Sequence, residues 1–189
     1  ATLLGAPAGI VAGYFGSWID SVIMRIADIV YSFPAILLAL AITAFLGPNL
    51  RNVILALGIV YAPGMARIVR GPVLAAKEQE YVEASRVIGA SNARIVTWHI
   101  LPNVLSPLIV TATITFSFAL LSEAALSFLG LGAQPPSASW GVMLSDGRRC
   151  METVPSLAIF PGLAIMVTVL GSNLLGDALR DVLDPRLRR

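Results

Sequence analysis

Glu78, Glu80, Glu83, Arg86, Arg94 and His99 all fall within one polar stretch, residues 76–102 (AKEQEYVEASRVIGASNARIVTWHILP), set between long apolar runs. What these side chains offer is recognition: hydrogen bonds and ion pairs to something soluble. Bond-making chemistry is poorly served. His99 lies in this stretch while Asp20 and Asp146 lie elsewhere, so a Ser/His/Asp triad is not assembled. One cysteine, Cys150, and one histidine exclude an intrachain disulfide, a Cys/His zinc cluster and a bis-histidine haem site. The sole lysine, Lys77, follows Ala75-Ala76, and no G-x-x-x-x-G-K-[ST] loop is present to cradle phosphate. Glu123 stands apart as the one acid well inside an apolar run, where the bilayer centre would cost about 2.5 to 3.5 kcal/mol.

The elements that must position these residues are membrane helices. Only 13% of the chain is charged, against roughly 25% in an average soluble domain, and the mean hydropathy is +0.82, so an all-α polytopic membrane protein is expected. Runs long enough to approach a bilayer core of about 30 Å fall at residues 1–17, 32–47, 50–70, 103–129 and 156–176, giving five expected spans. The first begins at Ala1 without a basic flank or cleavage-type site, and reads as part of a fragment missing its natural N-terminus rather than a signal peptide.

With the polar island in the cytoplasm, alternation puts Arg25, Arg67, Arg70, Lys77, Arg86, Arg94, Arg180, Arg186, Arg188 and Arg189 inside, and only Arg51, Arg148 and Arg149 outside. That is the bias of the positive-inside rule, and it makes the C-terminus cytoplasmic. The scattered basic residues do not form a nucleic-acid stripe.

Within the island, residues 78–88 are predicted to form a helix, with Glu78 and Glu80 at its positive end and Tyr81, Val82, Ser85 and Ile88 along one face. Gly89 supplies the bend, Ser91 an N-cap, and residues 92–100 a second short helix that Pro102 limits. Residues 18–31 suit an amphipathic helix, or a continuation of the neighbouring spans. Gly5, Gly9 and Gly13 form a small-residue face for close helix packing. Pro34, Pro48, Pro63, Pro102, Pro107 and Pro161 are expected to kink or stop helices.

About 1.5 Å per residue from Pro102 carries Glu123 about 30 Å along its span, toward the outer end. With Trp140 and Met143 from the 130–155 loop it is a candidate for the pathway or its outer mouth; a packed interfacial acid is the plainer reading. The loop itself suits docking of a soluble binding protein, or a self-packed plug.

Glu83-Ala84-Ser85, three residues, Gly89, and then Leu101-Pro102 resembles the E-A-A-x3-G-x9-I-x-L-P loop of permease subunits of bacterial ABC importers. Ser85 replaces the second Ala and His99 the Ile, with Ile100 beside it; Glu123-Ala124-Ala125 lacks the following Gly and Leu-Pro. The stretches Leu126–Gly132, Gln134–Pro136, Trp140–Leu144, Asn173–Pro185, Ile23–Asp28 and Phe33-Pro34 extend the resemblance over essentially the whole chain. It is most similar to the C-type permease of dipeptide, oligopeptide or glutathione importers.

The resemblance implies a single transmembrane domain over 1–189, with a coupling loop at 71–102 and a periplasmic loop at 130–155. It implies six spans, the first absent here. It assigns ATPase coupling to Glu83, Ala84, Ser85, Gly89, Ala90, Leu101 and Pro102: Glu83 by accepting a hydrogen bond or ion pair, Gly89 by the bend, Ala84 and Ser85 by close approach. It implies a non-catalytic subunit of the bacterial inner membrane, without cofactor or metal of its own, ATP and Mg being bound by partners. Those partners are a second permease subunit in a heterodimer, two ATPase subunits and a periplasmic or lipid-anchored substrate-binding protein.

Dipeptides or oligopeptides are the expected cargo, because the spans hold no Cys, Met and His cluster for a soft metal. Import of nickel or another small solute is the alternative. A secondary transporter would place ionisable residues at the midplane, and a redox anchor would need histidines in its spans; neither pattern is present.

Overall fold

The computed structural model describes residues 1–183; Pro185, Arg186, Arg188 and Arg189, part of the expected tail and charge bias, lie outside the described residues. Among the described residues every regular element is a helix: α1 (Thr2–Phe15), α2 (Ser17–Tyr31), α3 (Ala35–Leu46), α4 (Leu50–Lys77), α5 (Glu80–Val87), α6 (Asn92–Ile95), α7 (Leu101–Phe128), α8 (Trp140–Arg149) and α9 (Ser156–Leu183). Helices satisfy their backbone polar groups within the segment, as hydrocarbon demands. The expected all-α polytopic class is the one found.

Among the described residues three helical runs are long and apolar enough to cross a bilayer: Leu50–Lys77, Asn92–Phe128 and Ser156–Val182. A fourth is added if α2 and α3, which meet at an 88° bend, count as one span. The five-span expectation differs because two of its runs form short helices. α1 has 14 residues and α3 has 12, lengths of about 21 and 18 Å at the helical rise. Local backbone accounts for both. Gly16 (φ +63°) and Ser17 (φ +50°) break the chain between α1 and α2, and Pro34 forces Phe33 out of helical backbone before α3 begins.

Pro48 falls in the break between α3 and α4, whereas four other prolines do not stop their helices. Pro63 and Pro72 lie inside α4, Pro107 inside α7 and Pro161 inside α9. Nor does Pro102 end the second island helix: α6, a π turn at Val96–Ile100, and α7 run on as one 37-residue helix. The widened turn accommodates a residue that has no donor, and the Asn103 amide donates to the His99 carbonyl there at 2.6 Å.

The chain forms two compact units. One holds Ala1–Ser32, Ala62–Ala112 and the chain from Gly176. Here α1 packs directly on α4, since a Cβ on Gly5 would clash with Ala62 O and one on Gly9 with Ala66 O. This is the small-residue face read from the sequence. Met65, Val69, Val73, Val82, Ile95, Ile100 and Val104, each at most 1% exposed, fill the core. α2 is the amphipathic helix expected of residues 18–31, with its acids paired to α4: the part-buried Asp20 meets Arg70 and the exposed Asp28 meets Arg67, while Trp18, Val22, Ile26 and Ile29 are exposed.

The other unit holds Phe33–Tyr61 and Thr113–Leu175. Its core gathers Ala39, Val53, Ala56, Leu57, Val60 and Leu126. Polar side chains inside it are paired: Tyr61 Oη with Ser122 Oγ at 2.7 Å, and Ser117 Oγ donating to Asn173 Oδ1 at 2.8 Å.

Candidate functional site

The island folds as a helical hairpin seated on the first unit's core. α5 begins after Gln79 with Glu80 and Glu83 in its first turn, where acids complement the positive helix end. Val82 and Ser85 point inward, and Ile95 and Ile100 meet them in the same core. Gly89 (φ +82°) ends α5: its N–H reaches Arg86 O, and the Ala90 N–H reaches Ser85 O, both at 3.0 Å. This pair of bonds is a Schellman closure, and the left-handed residue it requires is the reason for glycine. Ser91 then caps α6, its Oγ accepting from Arg94 N at 3.4 Å, as the sequence predicts.

Ser85, assigned by the resemblance to close approach of a partner, is only 7% exposed. Its Oγ donates to Tyr81 O at 2.8 Å and lies 3.3 Å from His99 Nε2, so it ties α5 to the π turn from within. The Tyr81 and His99 rings lie 5.9 Å apart, and the Asn103 amide donates to Tyr81 Oη at 3.0 Å. His99 is therefore a brace inside the hairpin. Leu101 and Ala90 are half-buried and Pro102 is exposed.

What the hairpin turns outward is Glu83, Ala84, Arg86 and three large apolar side chains: Val87, Ile88 and Trp98, each more than three-quarters exposed. Ile88, expected on one helix face with Val82, sits instead on the Schellman turn, beyond the last helical residue. Glu83 and Arg86 line an open concavity of about 600 Å³ with Lys77, Glu78 and Val87.

A second set of contacts holds the hairpin to α1, and no sequence signal announced it. The Tyr14 hydroxyl donates to Asn92 Oδ1 at 2.8 Å, the Arg86 guanidinium lies 5.6 Å over the Tyr14 ring, and Lys77 Nζ donates to Gly13 O at 3.0 Å. Beside them Arg70 grips both carboxylate oxygens of Asp20, and Arg67 reaches Asp28 at 2.7 Å and stacks 4.8 Å over Tyr31.

In the second unit Glu123, Trp140 and Met143, grouped from the sequence as a candidate pathway or outer mouth, come together. With Leu50, Ala138 and Ser139 they line a concavity of about 370 Å³. Ser127 Oγ donates to Glu123 Oε1 at 2.5 Å, and Ser139 caps α8 by accepting from Val142 N at 3.3 Å. Residues 130–155 are strapped to their own unit. A Cβ on Gly141 would clash with Ala124 O, and one on Gly147 would come within 2.7 Å of the backbone at Leu157 and Ala158.

Relatives of the chain carry transport names. It is 50% identical over 188 residues to the dipeptide transport system permease protein DppC of Alkalihalophilus pseudofirmus, covering 100% of this chain and 62% of that protein. It is 46% identical over 186 residues to the glutathione transport system permease protein GsiD of Pectobacterium atrosepticum, covering 98% and 62%. To the GsiD protein of Escherichia coli it is 49% identical over 175 residues, covering 93% and 58%. The chain thus spans about three fifths of the length of these relatives. Residues 5–189 match the family described as binding-protein-dependent transport system inner membrane component. Matched almost from end to end, and folded as long apolar helices that present a polar hairpin, the chain belongs to that family.

Proposed function

We propose that this chain works as the membrane-spanning permease subunit of an ATP-driven importer, carrying di- or oligopeptides across the bacterial inner membrane by alternating access. The observation that carries the reading is the hairpin's outer surface. Glu83 and Arg86 stand beside the exposed Val87, Ile88 and Trp98 on an element tied inward to α1, α4 and α7. Such a surface suits a soluble partner that pushes; the Tyr14–Asn92 bond to α1, the Tyr81–Asn103 bond to α7 and the packing of Val82 against Val69 and Val73 of α4 pass the push to the helices as rigid bodies.

The partner is a pair of ATPase subunits that bind ATP and Mg, because the chain has no phosphate loop of its own. In this reading the island and the C-terminus face the cytoplasm, and the chain itself performs no hydrolysis. Glu83 accepts a hydrogen bond or ion pair from the ATPase, Ala84 leaves room for close approach, and Gly89, Ala90, Leu101 and Pro102 set the hairpin's shape. A second permease subunit completes a heterodimer, and a periplasmic or lipid-anchored binding protein delivers cargo. Peptide cargo is supported by relatives named for dipeptide and glutathione transport.

The test is purification of the assembled transporter, reconstitution into vesicles, and measurement of hydrolysis and uptake. Co-isolation of an ATPase with vanadate-sensitive hydrolysis, stimulated by the binding protein and coupled to uptake of a labelled dipeptide, is the expected result. An intact complex that contains no ATPase, or that takes up nickel but no peptide, would overturn it.

A further inference from the structure

Glu123 is placed with care for an acid in an apolar helix. Ser127, which donates to its Oε1, is only 1% exposed, so the brace sits on the protein side while Glu123 lines the concavity. Both salt bridges among the described residues lie elsewhere, and no cation pairs with this carboxylate there. None of the six residues lining the concavity is basic.

The wall opposite is fixed as firmly. A Cβ on Gly132 would clash with Ser127 Oγ, and one on Gly141 would stand 2.7 Å from Ser127 Cβ, so the loop bearing Trp140 and Met143 is seated directly on the turn that orients Glu123. Ser139 caps α8 and holds Trp140 at its first position. A carboxylate beside an aromatic ring and a thioether, in a concavity of about 370 Å³, is the chemistry that receives an alkylammonium group. The charge pairs with the carboxylate, and the cation gains from the ring face.

We infer that Glu123, Trp140 and Met143 form a site for the α-ammonium group of a peptide cargo, with Ser127 as the positioning residue. This rests on the peptide-importer reading and deepens it. The site checks that the cargo has a free amino terminus, apart from any selection by the binding protein.

The experiment compares uptake of labelled alanyl-alanine with that of N-acetyl-alanyl-alanine by the intact transporter in vesicles, at saturating binding protein. Any preference that the binding protein contributes is common to all variants and cancels when their ratios are compared. Glu123→Gln is expected to lower the free-amine to acetylated ratio by about tenfold, the loss of one charge-assisted hydrogen bond, and Trp140→Leu to lower it less. The ratio is read because a merely structural defect would depress both substrates together. An unchanged ratio in whichever variant assembles would overturn the site while leaving the importer reading standing. Absence of peptide uptake by the unaltered transporter would overturn that reading, and the site with it.

Discussion

The hydroxyl of Tyr14 donates to Asn92 Oδ1 at 2.8 Å across 78 residues of sequence, joining the end of α1 to the start of α6. With Arg86 over the same ring, Tyr14 clamps both arms of the hairpin to α1. Tyr14→Phe keeps the ring and removes the bond, and is expected to lower stability by about 1 kcal/mol. Tyr14→Ala also empties a 6%-exposed site, at a cost of about 3 to 5 kcal/mol. Thermal unfolding of the purified transporter reads both, and equal losses would contradict the clamp.

The α1–α4 contact makes a sharper contrast between two glycines. Gly9 has no room for a Cβ beside Ala66, whereas Gly71 has nothing within 4 Å. Gly9→Val should destabilise by about 1 to 3 kcal/mol or prevent assembly. Gly71→Ala should be neutral or gain up to about 1 kcal/mol through helix propensity. Melting temperature and complex yield measure the difference, and similar behaviour of the two variants would refute the packing.

Two ion pairs join α2 to α4, and they should not matter equally. The Arg70 and Asp20 side chains are 33% and 17% exposed and doubly bonded, while Arg67 and Asp28 are 52% and 59% exposed and joined once. Asp20→Asn should cost about 1.5 to 3 kcal/mol, and Asp28→Asn less than about 1 kcal/mol. The smaller effect should shrink further in added salt, because exposed pairs are screened. Unfolding midpoints at low and high salt check the order.

Local signals carried much of this structure. The Gly89 bend, the Ser91 cap and the apolar runs of α4, α7 and α9 were all legible, because each depends on neighbours within a few residues. Misread elements depend on partners far along the chain or on backbone that lipid tolerates. Pro102 signals a helix end, yet a π turn carries the helix past it. Ser85 looked like a contact residue and became a brace, because His99 lies across the hairpin. The ion pairs of the α2 acids were hidden too, since Arg67 and Arg70 lie 39 and 50 residues away. The Glu123, Trp140 and Met143 grouping was foreseen as a region; its geometry comes from glycine contacts that spacing does not reveal.

The central claim is that the hairpin's outer surface engages a soluble ATPase. Its most direct test is the Val87→Glu/Ile88→Glu double variant, with co-isolation of the ATPase and binding-protein-stimulated hydrolysis measured together. Both side chains are more than four-fifths exposed, so the membrane helices should fold unchanged. The expected result is loss of the ATPase from the purified complex and a fall of peptide uptake to background. Full retention of the ATPase with undiminished uptake would contradict it.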